Sequence, residues 1–180
     1  MPSVLAILAD GFEEIETVTP IDLLRRAGVQ VTTASRSSDL HVKGRSNLVL
    51  QADCRLETLA APCSFDCLFL PGGPGVKLMR EDRRVKGLVQ DYAQAKKWLA
   101  AICAAPVILA DAGLLQGKRY TAHPSVANEL HQILAGMRVV VEGRVITSRG
   151  AGTSLDFGLA LVEHLVSPAK ALEIAGAICA

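Results

Sequence analysis

Short apolar runs alternate along the chain with longer segments in which hydrophobic positions return every three or four residues. SVLAILA (3–9) is apolar throughout, as a strand buried on both faces must be. EEIETVTPIDLLRRAG (13–28) carries the helical period and ends on Gly28, a residue suited to helix C-termini. Pro20 inside it predicts a kink or a restart. VQVTTAS (29–35) is the next strand, and two extended pieces near 40–43 and 47–51 predict a hairpin. FDCLFLPGG (65–73) reads as a strand running into a glycine-rich turn, followed by a helix over roughly 82–95. KWLAAIC (97–103) is a strand and AAPVILADAG (104–113) a helix closed by Gly113. RYTAHP (119–124) predicts a short strand, with a helical segment from Ser125. RVVVEGRVITSRG (138–150) predicts a hairpin turning at Glu142-Gly143. GTSLDFGLALVEHL (152–165) is a helix capped by Thr153 or Ser154, and 168–178 is the last one.

Strand and helix alternating in this way predict an α/β fold: a mostly parallel sheet with helices on both faces. The 180 residues suffice for one domain, 1–180, and no linker or repeat divides them. Half the residues are hydrophobic, which excludes a disordered chain, yet no apolar stretch reaches the ~18–20 residues of a membrane span. The N-terminus lacks a basic region before its apolar run, so it reads as a first strand and not a signal peptide. Net charge is +1 with the cations scattered, so sequence-specific nucleic-acid binding is not expected. The five cysteines are Cys54, Cys63, Cys67, Cys103 and Cys179. The close pair Cys63 and Cys67 lacks a second pair or a nearby histidine, so no metal site is expected. Free thiols in a reducing cytoplasm are the expectation.

In parallel sheets, sites form at the carboxyl ends of strands. That selects the positions after Ala9, Leu70, Ile102 and Ala122. After Ile102 comes Cys103, in Ala101-Ile102-Cys103-Ala104-Ala105, with small residues two before and two after the thiol. A turn sharp enough to expose a nucleophile between strand and helix crowds those neighbours. The N–H groups of a helix beginning at Ala104 would face the sulfur, predicting a thiol pKa below the ordinary value. The alternative is a small buried core residue. After Ala122 comes His123, whose following proline keeps its backbone extended; it is either a partner of the thiol or a surface residue. After the first strand come Glu13, Glu14 and Glu16, which cannot share one helix face. Two of them are expected in solvent, and one carboxyl could turn toward the sheet edge as a proton donor or acceptor with a raised pKa. Pro71-Gly72-Gly73-Pro74-Gly75 exposes backbone N–H groups suited to an oxyanion. It is not a phosphate-binding P-loop, since no Gly-Lys-Ser/Thr follows.

GFEEIETVTPIDLLRRAG, FLPGG, AAICAAP, TAHP and TSRGAGTSLDFGLALVE together resemble, in order and spacing, the ThiJ/PfpI superfamily. Within it they are closest to the branch of the human Parkinsonism-associated protein deglycase and its bacterial relatives. The resemblance covers nearly the whole chain. It implies a flavodoxin-like α/β sandwich, a homodimer, and an oxidation-sensitive nucleophile at the elbow, Cys103. It places the protonated acid that hydrogen-bonds the nucleophile at Glu16, the neighbouring histidine at His123, and the oxyanion-side glycine at Gly73, beside Gly72 and the Ala104 backbone. Relatives carry an arginine directly before the position of Asn47, where this chain has Ser46, with Arg45 one place earlier. Arg26 matches a family arginine and is a candidate anion contact.

The resemblance implies a cofactor-independent glyoxalase or protein and nucleotide deglycase. Such an enzyme acts on methylglyoxal, glyoxal or their early adducts and releases lactate or glycolate. The alternative is a redox-regulated chaperone or oxidative-stress sensor using the same cysteine; a cysteine peptidase lacks an evident third triad member. Ile15, Val18, Ile21, Leu23 and Leu24 give the first helix more apolar surface than one sheet face needs. A dimer burying part of it, with Val18 or Ile21 at the contact, is therefore expected.

Overall fold

In a computed structural model of the chain, residues 1–60 and 64–180 are described; Cys63 lies outside them. The strands are β1 (Ser3–Leu8), β2 (Gln30–Ser35), β3 (His41–Lys43), β4 (Val49–Gln51), β5 (Cys54–Arg55), β6 (Cys67–Leu70), β7 (Trp98–Ile102), β8 (Val139–Glu142) and β9 (Val145–Ser148). The helices are α1 (Glu14–Arg26), α2 (Val76–Glu81), α3 (Arg83–Gln94), α4 (Pro106–Asp111), α5 (Ser154–Leu165) and α6 (Pro168–Ala177). Seven strands form one sheet in the order β5-β2-β1-β6-β7-β9-β8, and β3 pairs with β4 in a separate hairpin. Every pairing in the large sheet is parallel except β8 with β9.

Alternate residues of β1 explain why the run is apolar throughout. Leu5 and Ile7 face a core closed by α2, α3 and α4, with Met79, Val89, Tyr92 and Leu109. Val4 and Ala6 face the core under α1, α5 and α6, with Leu24, Phe157, Leu161 and Ile174. A parallel sheet covered on both sides needs apolar residues in both registers. The expected flavodoxin-like sandwich is what the chain adopts. Strand order reverses between β1 and β6, with α1 leaving to one face and α2–α3 to the other. Sites in open parallel sheets form in such a crevice, at the strands' carboxyl ends.

Several local expectations change. Pro20 does not restart α1, which runs unbroken from Glu14 to Arg26. Its backbone lies close to α5, where Gly158 leaves room: a Cβ there would come 3.1 Å from Pro20 Cα and 2.5 Å from Leu23 Cδ1. The helix expected over roughly 82–95 is α3, and a short helix not expected, α2, precedes it; Asp82 leaves α2 extended and caps α3 by accepting from the Arg84 N–H. The expected strand at 119–124 does not form. Tyr120 makes an isolated bridge with Ile133, and the Thr121 N–H donates to the Thr147 side chain instead of to a strand. The edge it would have joined is already taken by β8. The helical segment expected from Ser125 is a single 3-10 turn at Pro124–Val126. Thr153 stands at the start of α5, but its hydroxyl bonds Gly150 and Ser148 and does not cap the helix.

Candidate active site

β7 ends at Ile102 and the chain turns sharply at Cys103, which has φ +66, a conformation rare for a residue with a side chain. The elbow is held from both sides: the Cys103 N–H donates to Ser148 O (2.9 Å), and Cys103 O accepts from the His123 N–H (2.8 Å). Strain kept in place by its surroundings belongs with function more often than with packing alone. The backbone N–H groups of Gly73 and Ala104 point at the sulfur. α4 proper starts only at Pro106 and spans six residues, so these two nearby N–H groups matter more than its dipole.

Glu16 reaches the same point from the first turn of α1. Glu13 caps that turn by accepting from the Glu16 N–H at 2.8 Å. The Glu16 carboxyl, 2% exposed, hydrogen-bonds the Cys103 side chain and the Ala151 backbone. Its Oε2 is buried and has no hydrogen-bond partner among the described residues. Gly72 makes the meeting possible: a Cβ there would overlap the Glu16 carboxyl and come within 2.5 Å of Cys103 Cβ. Gly73 is needed twice over, having φ +92 and a position where a Cβ would lie 2.5 Å from Gly11 O. Gly72 O in turn accepts from the Glu13 N–H, tying the turn to α1.

Burial raises the Glu16 carboxyl to about 7, with the Glu13 charge adding to it. The Cys103 thiol does not follow the expected downward direction. Burial, the negative charge on Glu16 and the hydrogen bond to Glu16 push it up to about 12, against the Gly73 and Ala104 N–H groups. The two groups titrate as a pair. Burial is the largest cause of that rise, and the part due to Glu16 belongs to removing a second proton beside a carboxylate already ionised. Above about 7, where the first proton has left, the pair holds one. With that proton on Glu16 the repulsion vanishes, and the acid donates to a thiolate that two backbone N–H groups also face. What favours thiolate here, against burial, is these neighbours and not a helix dipole.

His123 is exposed at the mouth of the cleft. Its Nδ1 accepts from the Ser125 N–H (3.1 Å), so in the neutral ring the proton sits on Nε2, the open nitrogen. The cleft, ≈ 440 Å³, is lined by Glu13, Glu16, Arg45, Cys103, Gly73 and His123, among others. Cys103, Glu16, His123, Gly72, Gly73 and Ala104 therefore converge. Arg26 does not: it ends α1, ten residues and ~15 Å along the helix from Glu16, and pairs with Asp22 at 2.8 Å. The cation at the cleft is Arg45, whose charge slightly offsets the rise at Glu16. Ser46, at the family arginine position, uses its backbone N–H to hold Glu14 Oε1 at 2.7 Å. Nor are two of the three acids solvated, since Glu13 and Glu14 are as buried as a cap and a loop anchor require. Their roles were hidden because the partners come from distant parts of the sequence, the Gly72 turn for Glu13 and the β3–β4 hairpin for Glu14. Ser125 had a readable signal in its spacing from His123.

A sequence model of the DJ-1/PfpI family matches residues 2–164. The Parkinson disease protein 7 homolog of Danio rerio is 37% identical over 175 residues, covering 94% of this chain and 93% of the relative. The Caenorhabditis elegans glutathione-independent glyoxalase DJR-1.2 is 32% identical over 172 residues, covering 93% and 90%. The crystal structure of Drosophila melanogaster DJ-1beta superposes with a TM-score of 0.94 at 37% identity, covering 99% of this chain and 97% of the other.

Proposed function

This chain belongs to the DJ-1/PfpI family, and from that premise we propose that it is a cofactor-independent glyoxalase or deglycase. Its substrates are α-oxoaldehydes such as methylglyoxal and glyoxal, or their early adducts. The observation that carries the reading is the strained Cys103, with the Glu16 carboxyl and the Gly73 and Ala104 N–H groups around its sulfur. The glyoxalase name of one relative supports the choice of substrate.

The Cys103 thiolate adds to the aldehyde carbon of methylglyoxal. A C–S bond forms, and the carbonyl electron pair moves to oxygen, where the Gly73 and Ala104 N–H groups receive the developing charge. Glu16 supplies the proton and leaves a hemithioacetal. With a pKa near 7, Glu16 then removes the hydrogen from that carbon and returns it to the adjacent one through an enediol. The product is a thioester of lactate on Cys103. Water cleaves it, releasing lactate and restoring the thiol; the sum is methylglyoxal plus water giving lactic acid. His123 Nε2 at the cleft mouth orients that water. Lactate formation from methylglyoxal tests the reading. Cys103→Ala is expected to reduce it to the uncatalysed level and Glu16→Gln by ~10²-fold or more. Undiminished lactate from Cys103→Ala would exclude it.

A further inference from the structure

The opposite edge of the sheet, where its parallel strands begin, carries a second concave region. A cavity of ≈ 570 Å³ is lined by Lys96, Lys97, Trp98, Arg144, His164 and Asp66, among others. A neighbouring cavity of ≈ 380 Å³ shares Lys96, Lys97 and Arg144 and adds Lys118. Asp66 is the one carboxylate lining either cavity, and its Oδ2 already accepts from the Ser3 N–H (2.8 Å) and hydroxyl (3.0 Å). Lys97 is committed as well, donating to the carbonyls of Ser64 (3.1 Å) and Phe65 (2.8 Å). Lys96, Lys118 and Arg144 have no carboxylate partner among the described residues.

Lys96 is held there at a cost. α3 ends with the Lys96 N–H bonded to Ala93 O and the Lys97 N–H to Tyr92 O, the arrangement that places a left-handed residue after the helix. Lys96 is that residue, with φ +53. The same position after α1 is Gly28, with φ +80, and after the terminal helix α6 it is Cys179. Glycine adopts this conformation freely and lysine does not. Arg144 is fixed too, its guanidinium carbon 4.8 Å from the Trp98 ring centre. His164 lies against the same indole at 5.2 Å. Trp98 is thus engaged by two side chains and offers no free platform to a base.

We propose that these adjacent cavities form an anion site for a linear oligophosphate chain, separate from the Cys103 cleft. Two adjacent cavities with three cations free of carboxylate partners among the described residues exceed what one phosphate needs, and charge density, not ring stacking, is what they recognise. Trp98 is the chain's single tryptophan, so the site reports on itself. Inorganic tripolyphosphate titrated into the protein at low ionic strength is expected to change Trp98 emission saturably. Calorimetry should give one site per chain, and the same result in Cys103→Ser. Adenosine triphosphate should bind no more tightly than tripolyphosphate. Arg144→Gln should weaken binding at least tenfold. Lys96→Gly should do the same while the melting temperature stays level or rises, since glycine suits the backbone there. A response matched by sodium chloride of equal ionic strength would overturn the proposal. So would affinity unchanged in both variants, loss of binding in Cys103→Ser, or binding of adenosine triphosphate without tripolyphosphate.

Discussion

At Cys103 and Glu16, a buried thiol and a buried carboxyl share one proton once the first has been lost, near pH 7. Gly72 brings them together, and the Gly73 and Ala104 N–H groups set which of them keeps the charge. The alkylation rate of Cys103 by iodoacetamide should therefore climb through pH 7 and level off by about pH 8.5, the ordinary thiol value. At pH 7 it should exceed that of Cys54 and Cys67, whose thiols burial pushes up. A rate still rising tenfold per pH unit above pH 9 would put the charge on Glu16 instead. Glu16 also makes stability depend on pH. Its folded value of about 7 lies above the ordinary 4.5, so well below 4.5 it is protonated in both states and contributes nothing. Between those values the unfolded carboxyl ionises before the folded pair releases its first proton, and above 7 the folded state carries the full cost, about 3 kcal/mol, whichever of the two groups bears the charge. Glu16→Gln should thus be more stable than wild type at pH 8 by roughly that amount and equal to it at pH 4.5, by urea unfolding. A difference independent of pH would show that the carboxyl is not desolvated.

At the scale of elements, the closest helix contact near the site is α1 against α5, where Gly158 faces Pro20 and Leu23. Alanine would favour the helix by about 1 kcal/mol, but its Cβ meets the Pro20 backbone, which cannot rotate away. Gly158→Ala is expected to destabilise by about 1–3 kcal/mol and to slow turnover, because α1 carries Glu16. A rise in melting temperature would mean that the helices separate freely. Periodicity made most of this architecture legible: β1, β2, β6, β7 and the hairpin at Glu142-Gly143 stand where alternation and turn residues put them. The elbow was legible from small residues around one cysteine at a strand end. What escaped was set by distant partners. Residues 119–122 look like a strand but meet side chains at a sheet edge already taken, and Glu13 and Glu14 look solvated until the Gly72 turn meets the first and the β3–β4 hairpin the second. Arg26 and Arg45 could be told apart only once the length of α1 separated the first from the cleft.

For the whole molecule, the crevice between β1, β6 and β7 gathers the cleft from six separate stretches of chain, one of them α1, so anything that moves α1 moves the chemistry. Ile21, Leu23 and Leu24 are core residues, so they cannot serve as a contact face as the sequence suggested. Ile15 (53% exposed) and Val18 (44%) on α1 remain open, together with Leu48 and Val49 on the hairpin that Ser46 ties to Glu14. This apolar face is the proposed homodimer contact. Val18→Glu should sediment as a monomer at micromolar concentration and lose activity in parallel; a wild-type monomer with normal turnover would break the link. The central claim is covalent chemistry at Cys103. Its most direct test is rapid-quench mass spectrometry of the protein mixed with methylglyoxal, read alongside lactate. The account requires one methylglyoxal-derived adduct per chain, located on Cys103 by peptide mapping and decaying at the rate at which lactate appears. Lactate formed with Cys103 unmodified throughout would contradict it.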